Sequence, residues 1–227
     1  PLGGVESSVI NLMAELAKRG HEVHVRNNCL APLDYKGVSW RPIQEPWPSA
    51  VDLYIANRGD KLIECMQGAK RAVFWVHNPA RYLIKWRYLS KLWRRKPVIV
   101  FIGKVHETTY PAWAPAGKRV VIPYGLSDDF CTASPSNEVP GPRAVFTSNP
   151  LRSLDWLLDL WVRYIQPQVP AAELHLFTGA DTYGAVGDRK AEEMSKVLEQ
   201  AKALSSQGVI IRGTVQKSQL IDEFRQA

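Results

Sequence analysis

The sequence predicts an α/β protein built on parallel sheets, and three observations carry that expectation. Short, nearly continuous apolar runs recur along the chain, segments of helical periodicity separate several of them, and one stretch rich in Ser, Pro and Gly interrupts the rhythm before it restarts. Apolar runs that do not alternate belong to strands buried on both faces, as in a parallel sheet covered by helices. The pattern is Rossmann-like.

In chain order, Val5, Val9, Leu12 and Leu16 recur at helical spacing, and Gly20 follows as a stop signal. The strand-like runs DLYIA (52–56), AVFWV (72–76), VIVFI (98–102) and RVVIP (119–123) come next. CTASPSNEVPGPR (131–143) is the break. After it come AVFTS (144–148), a helix from Leu154 to about Ile165, ELHLF (173–177), a helix over about 189–205, VIIR (209–212) and a helix beginning near Ser218. This divides the chain into a first domain over 1–135, a linker over 136–142 and a second domain over 143–227. PLGG leads straight into a helix, where a Rossmann-like unit opens with a strand, and the last helix ends at Ala227 after three strands. The first domain is therefore expected to lack its opening strand and the second to be truncated at its C-terminal side.

Bulk properties narrow the class. With 45% hydrophobic and 22% charged residues in 227, the chain is an ordinary globular one. It contains no apolar run of the roughly 18 residues a spanning helix needs. The start PLGGVESS does not read as a signal peptide. Cys29, Cys65 and Cys131 are scattered, form no metal-ligand pair and suggest a reducing, cytoplasmic compartment. Residues 1–142 hold 19 Lys and Arg against 12 Asp and Glu, whereas 143–227 hold 10 of each. The whole net charge of +7 thus lies in the first part, which suits an anionic partner.

Several residues stand where chemistry is done. Gly3 and Gly4 precede the first helix, where small residues admit a ligand close to backbone N–H groups that attract anions; a plain turn is the alternative. Arg152, in SNPLRS before the next helix, sits where a guanidinium shares a phosphate with a helix N-terminus, with Ser153 as its N-cap; a solvated arginine is the alternative. The loop from Gly179 to Gly187 follows a strand's carboxyl end, where open α/β sheets bind ligands. His77 ends the apolar run AVFWV, and Pro79 keeps that strand from continuing as a regular ladder. A lone histidine at such a place is commonly structural.

The motifs GGVE, LAKRGHEVHV, WVHNP, VIPYGLSDDF, FTSNPLRSLDWLL and AELHLFTG, in that order and approximate spacing, resemble the glycosyltransferases of family 4 (group 1). The resemblance spans nearly the whole chain and implies a GT-B fold of two Rossmann-like domains, the first for the acceptor and the second for a nucleotide sugar. It implies that Gly3 and Gly4 approach the donor phosphates when the domains close, that His77 contacts the donor sugar as the catalytic residue, and that Arg152 grips the diphosphate. Gly179, with Gly213, Thr214 and Val215, would lie against the nucleotide. The implied activity is retaining transfer of a sugar, a hexosyltransferase type, from a nucleotide-diphosphate sugar to a glycan, glycolipid or other hydroxyl acceptor in cell-surface polysaccharide or glycoconjugate synthesis. No cofactor and no metal are implied: helix N-termini and Arg or Lys stabilise the departing diphosphate. Asp128 and Asp129 are adjacent and do not form the Asp-x-Asp of metal-dependent relatives.

The chain departs from the family pattern at three points. Ser148-Asn149-Pro150 supplies no arginine ahead of Arg152, and Tyr124 stands where asparagine is usual. The Glu-x7-Glu motif is expected beyond Ala227, so the chain as it stands is expected to be inactive.

One further segment stands out. RYLIKWRYLSKLWRRK (81–96) carries seven basic residues and no acid. Read as one helix, it aligns Tyr82, Trp86, Leu89 and Trp93 on one stripe and Arg87, Lys91 and Arg95 on another. Lys85, Trp86, Arg87, Lys91, Arg94 and Arg95 are expected to meet an anionic membrane or an acceptor, which would place the protein at the inner face of the membrane. A core helix with a charged outer face is the alternative. The competing functions are a sugar-nucleotide-modifying GT-B enzyme such as an epimerase, and a non-enzymatic basic α/β module for membrane or nucleic acid. No nucleic-acid motif supports the last.

Overall fold

The computed structural model describes residues 4–65, 67–131, 139–179 and 188–227. The fold is mixed α/β with parallel sheets. The chain forms two compact units, one of Ser8–Gly125 and one of Leu126–Ala227 with the opening residues up to Ser7.

Helix α1 (Gly4–Lys18) ends at Gly20, whose φ of +87° is the left-handed turn glycine adopts without strain. Gly20 N–H bonds to the Ala17 carbonyl and His21 N–H to the Leu16 carbonyl, a Schellman closure. Val9, Ile10, Met13, Leu16 and Ala17 face inward, while Leu12, expected on that stripe, lies on the exposed side. Three strands that the apolar-run criterion passes over follow: β1 (Val23–Asn27), β2 (Leu33–Tyr35) and β3 (Val38–Pro42). β3 runs parallel to β1 and antiparallel to β2. They are short; β1 and β3 bury one face, with Val23, Val38 and Trp40 closing on Met13, and β2 is exposed along its length.

β4 (Val51–Asn57), β5 (Ala69–Trp75), β6 (Val98–Phe101) and β7 (Lys118–Val121) form the second sheet of this unit, all parallel and in that order. Among the described residues, β1 and β4 each have one edge with no strand bonded to it, and Ile55 of β4 packs into the α1–β1–β3 cluster. The core is Ala56, Phe74, Val76, Ile99 and Phe101, covered by Leu83, Tyr88, Leu92 and Tyr110.

Residues 81–96 are not one helix. A 3-10 turn over Ala80–Ile84 and helix α2 (Trp86–Arg95) meet at Lys85, whose backbone is extended. The break lets Leu83 enter the core and Tyr82 pack edge-on against Tyr88, so Tyr82 leaves the aromatic stripe. α3 (Lys104–Thr108) leads to β7.

The second unit opens with α4 (Asp128–Cys131), ahead of the linker expected over 136–142, whose residues 136–138 lie outside the described residues. Phe130 and Phe224 hold α4 against α7 (Lys217–Arg225), their ring centroids 6.1 Å apart, which ties the segment after Gly125 to this unit. β8 (Arg143–Phe146), β9 (Glu173–Leu176) and β10 (Val209–Ile211) are parallel, with β9 central. α5 (Leu154–Leu160) widens into a π turn over Trp161–Ile165, where Gln166 N–H reaches the Trp161 carbonyl. That turn buries Trp161, whose indole N–H donates to the Gln207 carbonyl at 2.8 Å. α6 (Asp188–Ala203) connects β9 to β10.

Candidate functional site

Each unit places candidate residues at the carboxyl ends of its parallel strands, the edge where such sheets bind ligands. In the first unit these are Asn57, the last residue of β4, His77 after β5 and Tyr124 after β7. His77 is buried, 7% exposed, and both ring nitrogens are engaged. Nε2 lies 2.6 Å from Asn57 Oδ1, which accepts only, so Nε2 carries the proton; Nδ1, 2.6 Å from Tyr124 Oη, then accepts from the phenol. The Tyr124 ring is nearly parallel to the imidazole, at 9° with centroids 5.8 Å apart, and the Trp75 ring lies 4.6 Å from that of His77 and 6.3 Å from that of Tyr124. Burial, then the charges of Arg58 and His106, push the His77 pKa down to about 4. The imidazole is therefore neutral at pH 7: one fixed donor and one acceptor, with no proton to lend.

The segment that carries His77 is pinned from α3. His106 Nε2 donates to the Asn78 carbonyl at 2.6 Å, its Nδ1 accepts from Ile102 N–H at 3.1 Å, and Ala80 N–H donates to Thr109 Oγ1 at 2.6 Å. Sequence reasoning singled out His77 and missed its two partners. The signals were there: Asn57 is the polar residue that ends DLYIA, and Tyr124 is the departure from the family pattern noted above.

In the second unit, Gly179 and Gly213 come together. Both line a cavity of about 330 Å³ at the carboxyl ends of β9 and β10, with Thr178, Ile211 and, from α6, Ser195, Leu198, Glu199 and Lys202. Thr214 adjoins it: a Cβ on Gly179 would lie 3.9 Å from Thr214 Cγ2. Gly213 takes φ +73°, a conformation that suits glycine. Thr178 is 1% exposed, and its hydroxyl has no hydrogen-bond partner among the described residues. Buried hydroxyls are nearly always paired, so this one is open to a further hydrogen-bond partner. Lys202 and Glu199 pair at 2.6 Å on α6. Val215 is half-buried and is not among the residues that line the cavity. His175, buried on β9, is satisfied by Glu173 at 2.8 Å and Arg212 at 3.3 Å and is a sheet residue.

The other expected residues are placed as follows. Gly4 opens α1, and Gly3 lies outside the described residues, as do 180–187 of the glycine loop. Arg152 is exposed in the turn between β8 and α5, its N–H bonded to the Asn149 carbonyl. Ser153 occupies the cap position of α5 with φ +63°, but its side chain makes no capping bond; Asn149 Oδ1 instead accepts from Leu151 N–H at 2.8 Å. Lys91, expected on an outward cationic stripe, is turned in. Its ammonium donates to the Asp60 carbonyl and carboxylate, both at 3.1 Å. Arg94 pairs with Glu64 at 2.8 Å at the surface. Trp86 and Trp93 are exposed, together with Trp113 from another element.

Among the described residues, no helix is long and apolar enough to cross a membrane and no cluster of His, Cys, Asp or Glu forms a metal site. No protein-family model matches the chain, and no curated protein is significantly similar to it.

Proposed function

We propose that the chain belongs to a retaining glycosyltransferase of the GT-B type, which moves a sugar from a nucleotide-diphosphate sugar to a hydroxyl acceptor. The observation that carries this reading is the cavity in the second unit. Two glycines separated by a helix and a strand meet there beside a buried, unpartnered threonine hydroxyl. A nucleoside fits that chemistry, with a flat apolar ring against glycine backbone and one hydrogen bond to Thr178. In this reading Arg152 and the start of α5 take the diphosphate, whose charge grows as the glycosidic bond breaks. Within the first unit, His77 can offer a hydroxyl its Nε2–H, which must first leave Asn57. Being neutral, His77 orients and does not act as the acid, so leaving-group stabilisation rests on Arg152 and backbone N–H groups.

The test is a thermal-shift panel of uridine, guanosine and adenosine diphosphate sugars with the free nucleotides. A ligand at about 100 times its Kd stabilises by about 2.7 kcal/mol, which raises Tm by about 5–10 °C for a chain of this size. One nucleotide class is expected to do so, and Thr178→Val is expected to reduce that shift. A panel in which no nucleotide stabilises the protein overturns the reading.

A further inference from the structure

We infer that the face formed by α2 and the turn at Trp113 is a docking surface for an anionic lipid bilayer, independent of the nucleotide cavity. Trp86 and Trp93 on α2 and Trp113, from the segment between α3 and β7, line one groove of about 570 Å³ with Leu89 and Pro115. The three indoles are 77%, 69% and 70% exposed. Nothing in the sequence pattern joins Trp113 to this patch. The fold does so deliberately: the Arg119 guanidinium on β7 donates to the carbonyls of Tyr110, Pro111, Ala112 and Ala114 at 2.6–3.2 Å. The turn that carries Trp113 is therefore fixed, and its indole is held out in solvent by a well-bonded scaffold.

Charge decides what covers the patch. Between Glu64 and Glu107 the chain carries ten Lys and Arg and no Asp or Glu. Among them, Arg81, Lys85, Arg87 and Lys96 have no ion pair among the described residues. A second copy of the chain would bring cations against cations. A glycan is recognised through several directed polar groups, and the groove has only two polar side chains, Ser90, which donates to the Trp86 carbonyl, and Arg94, which pairs with Glu64. Exposed indoles ringed by cations match the boundary between acyl chains and anionic headgroups, where tryptophan partitions and Lys or Arg meet phosphate. Lys91 takes no part, because Asp60 holds it.

The test is flotation of the whole chain with vesicles of phosphatidylcholine alone and of equal parts phosphatidylcholine and phosphatidylglycerol. Binding to the mixed vesicles alone is expected, weakening as salt is raised. Lys85→Gln and Arg87→Gln are each expected to lower partitioning about five-fold, the equivalent of about 1 kcal/mol per interfacial cation. Replacing Trp86, Trp93 and Trp113 together by serine is expected to lower it about ten-fold or more, with the circular dichroism spectrum unchanged. Three outcomes overturn the inference: equal binding to neutral vesicles, full binding by the triple tryptophan variant, or self-association in solution that the same substitutions abolish.

Discussion

Protonating His77 is the perturbation that probes the candidate site most directly. An unfolded histidine takes up a proton near pH 6.5, but His77 in the fold does so only at about pH 4, because its buried ring faces Arg58 and His106. Between those values the unfolded chain holds more protons than the folded one, so acid favours unfolding. The contribution of this group is fully present above about pH 6.5, is lost progressively as the pH falls, and loses nothing more below about pH 4. A gap of that size corresponds to at most about 3 kcal/mol, and the ability of the Tyr124 hydroxyl to turn and accept from an imidazolium trims it. Urea unfolding of the wild type and His77→Gln at neutral pH and near pH 4.5 isolates the term, since the other four histidines are common to both proteins. The wild type is expected to lose about 2 kcal/mol more than the variant on acidification. The imidazole Cε1–Hε1 NMR signal absent from His77→Gln should titrate near pH 4. A midpoint above pH 6 would refute both the burial argument and the assignment of a fixed neutral tautomer.

Two further perturbations test how the framework is held. A Cβ at Gly208, with φ +78°, would lie 2.3 Å from the Ala172 carbonyl oxygen. Gly208→Ala is therefore expected to cost about 2–4 kcal/mol in thermal or urea unfolding, whereas Gly103→Ala, with extended backbone and open space around it, should stay within about 0.5 kcal/mol; equal effects would show that the close approach at Gly208 is not real. Lys91→Ala is expected to lose about 1 kcal/mol of stability by freeing Asp60, and to float with anionic vesicles as the wild type does. A loss of vesicle binding as large as that of Lys85→Gln would return Lys91 to the lipid-facing surface.

Local pattern was a good guide wherever one element's own side chains decide its state. The runs at 72–76 and 98–102 are strands because they are apolar on both faces and bounded by helix formers or turns, and 173–177 is one with Leu174 and Leu176 in the core and the Glu173–His175 pair on its other face. The same criterion passed over β1 to β3, which are short and at most half-covered, and it could not see Lys85 break the 81–96 helix. That break is set by the core, which takes Leu83 from one side of it and Leu92 from the other.

By itself, then, the sequence determined an α/β protein with parallel strands, a histidine at the end of one strand and glycines at the ends of two others. It could do so because strand burial and chain reversal are written in neighbouring residues. Only the tertiary structure decided that Asn57 and Tyr124, 20 and 47 positions from His77, hold both of its nitrogens, that Gly179 and Gly213 share a cavity with Thr178, and that Trp113 joins Trp86 and Trp93. Those pairings depend on which strand ends the sheet brings side by side and which way each side chain is turned by its packing. No periodicity along the chain records either.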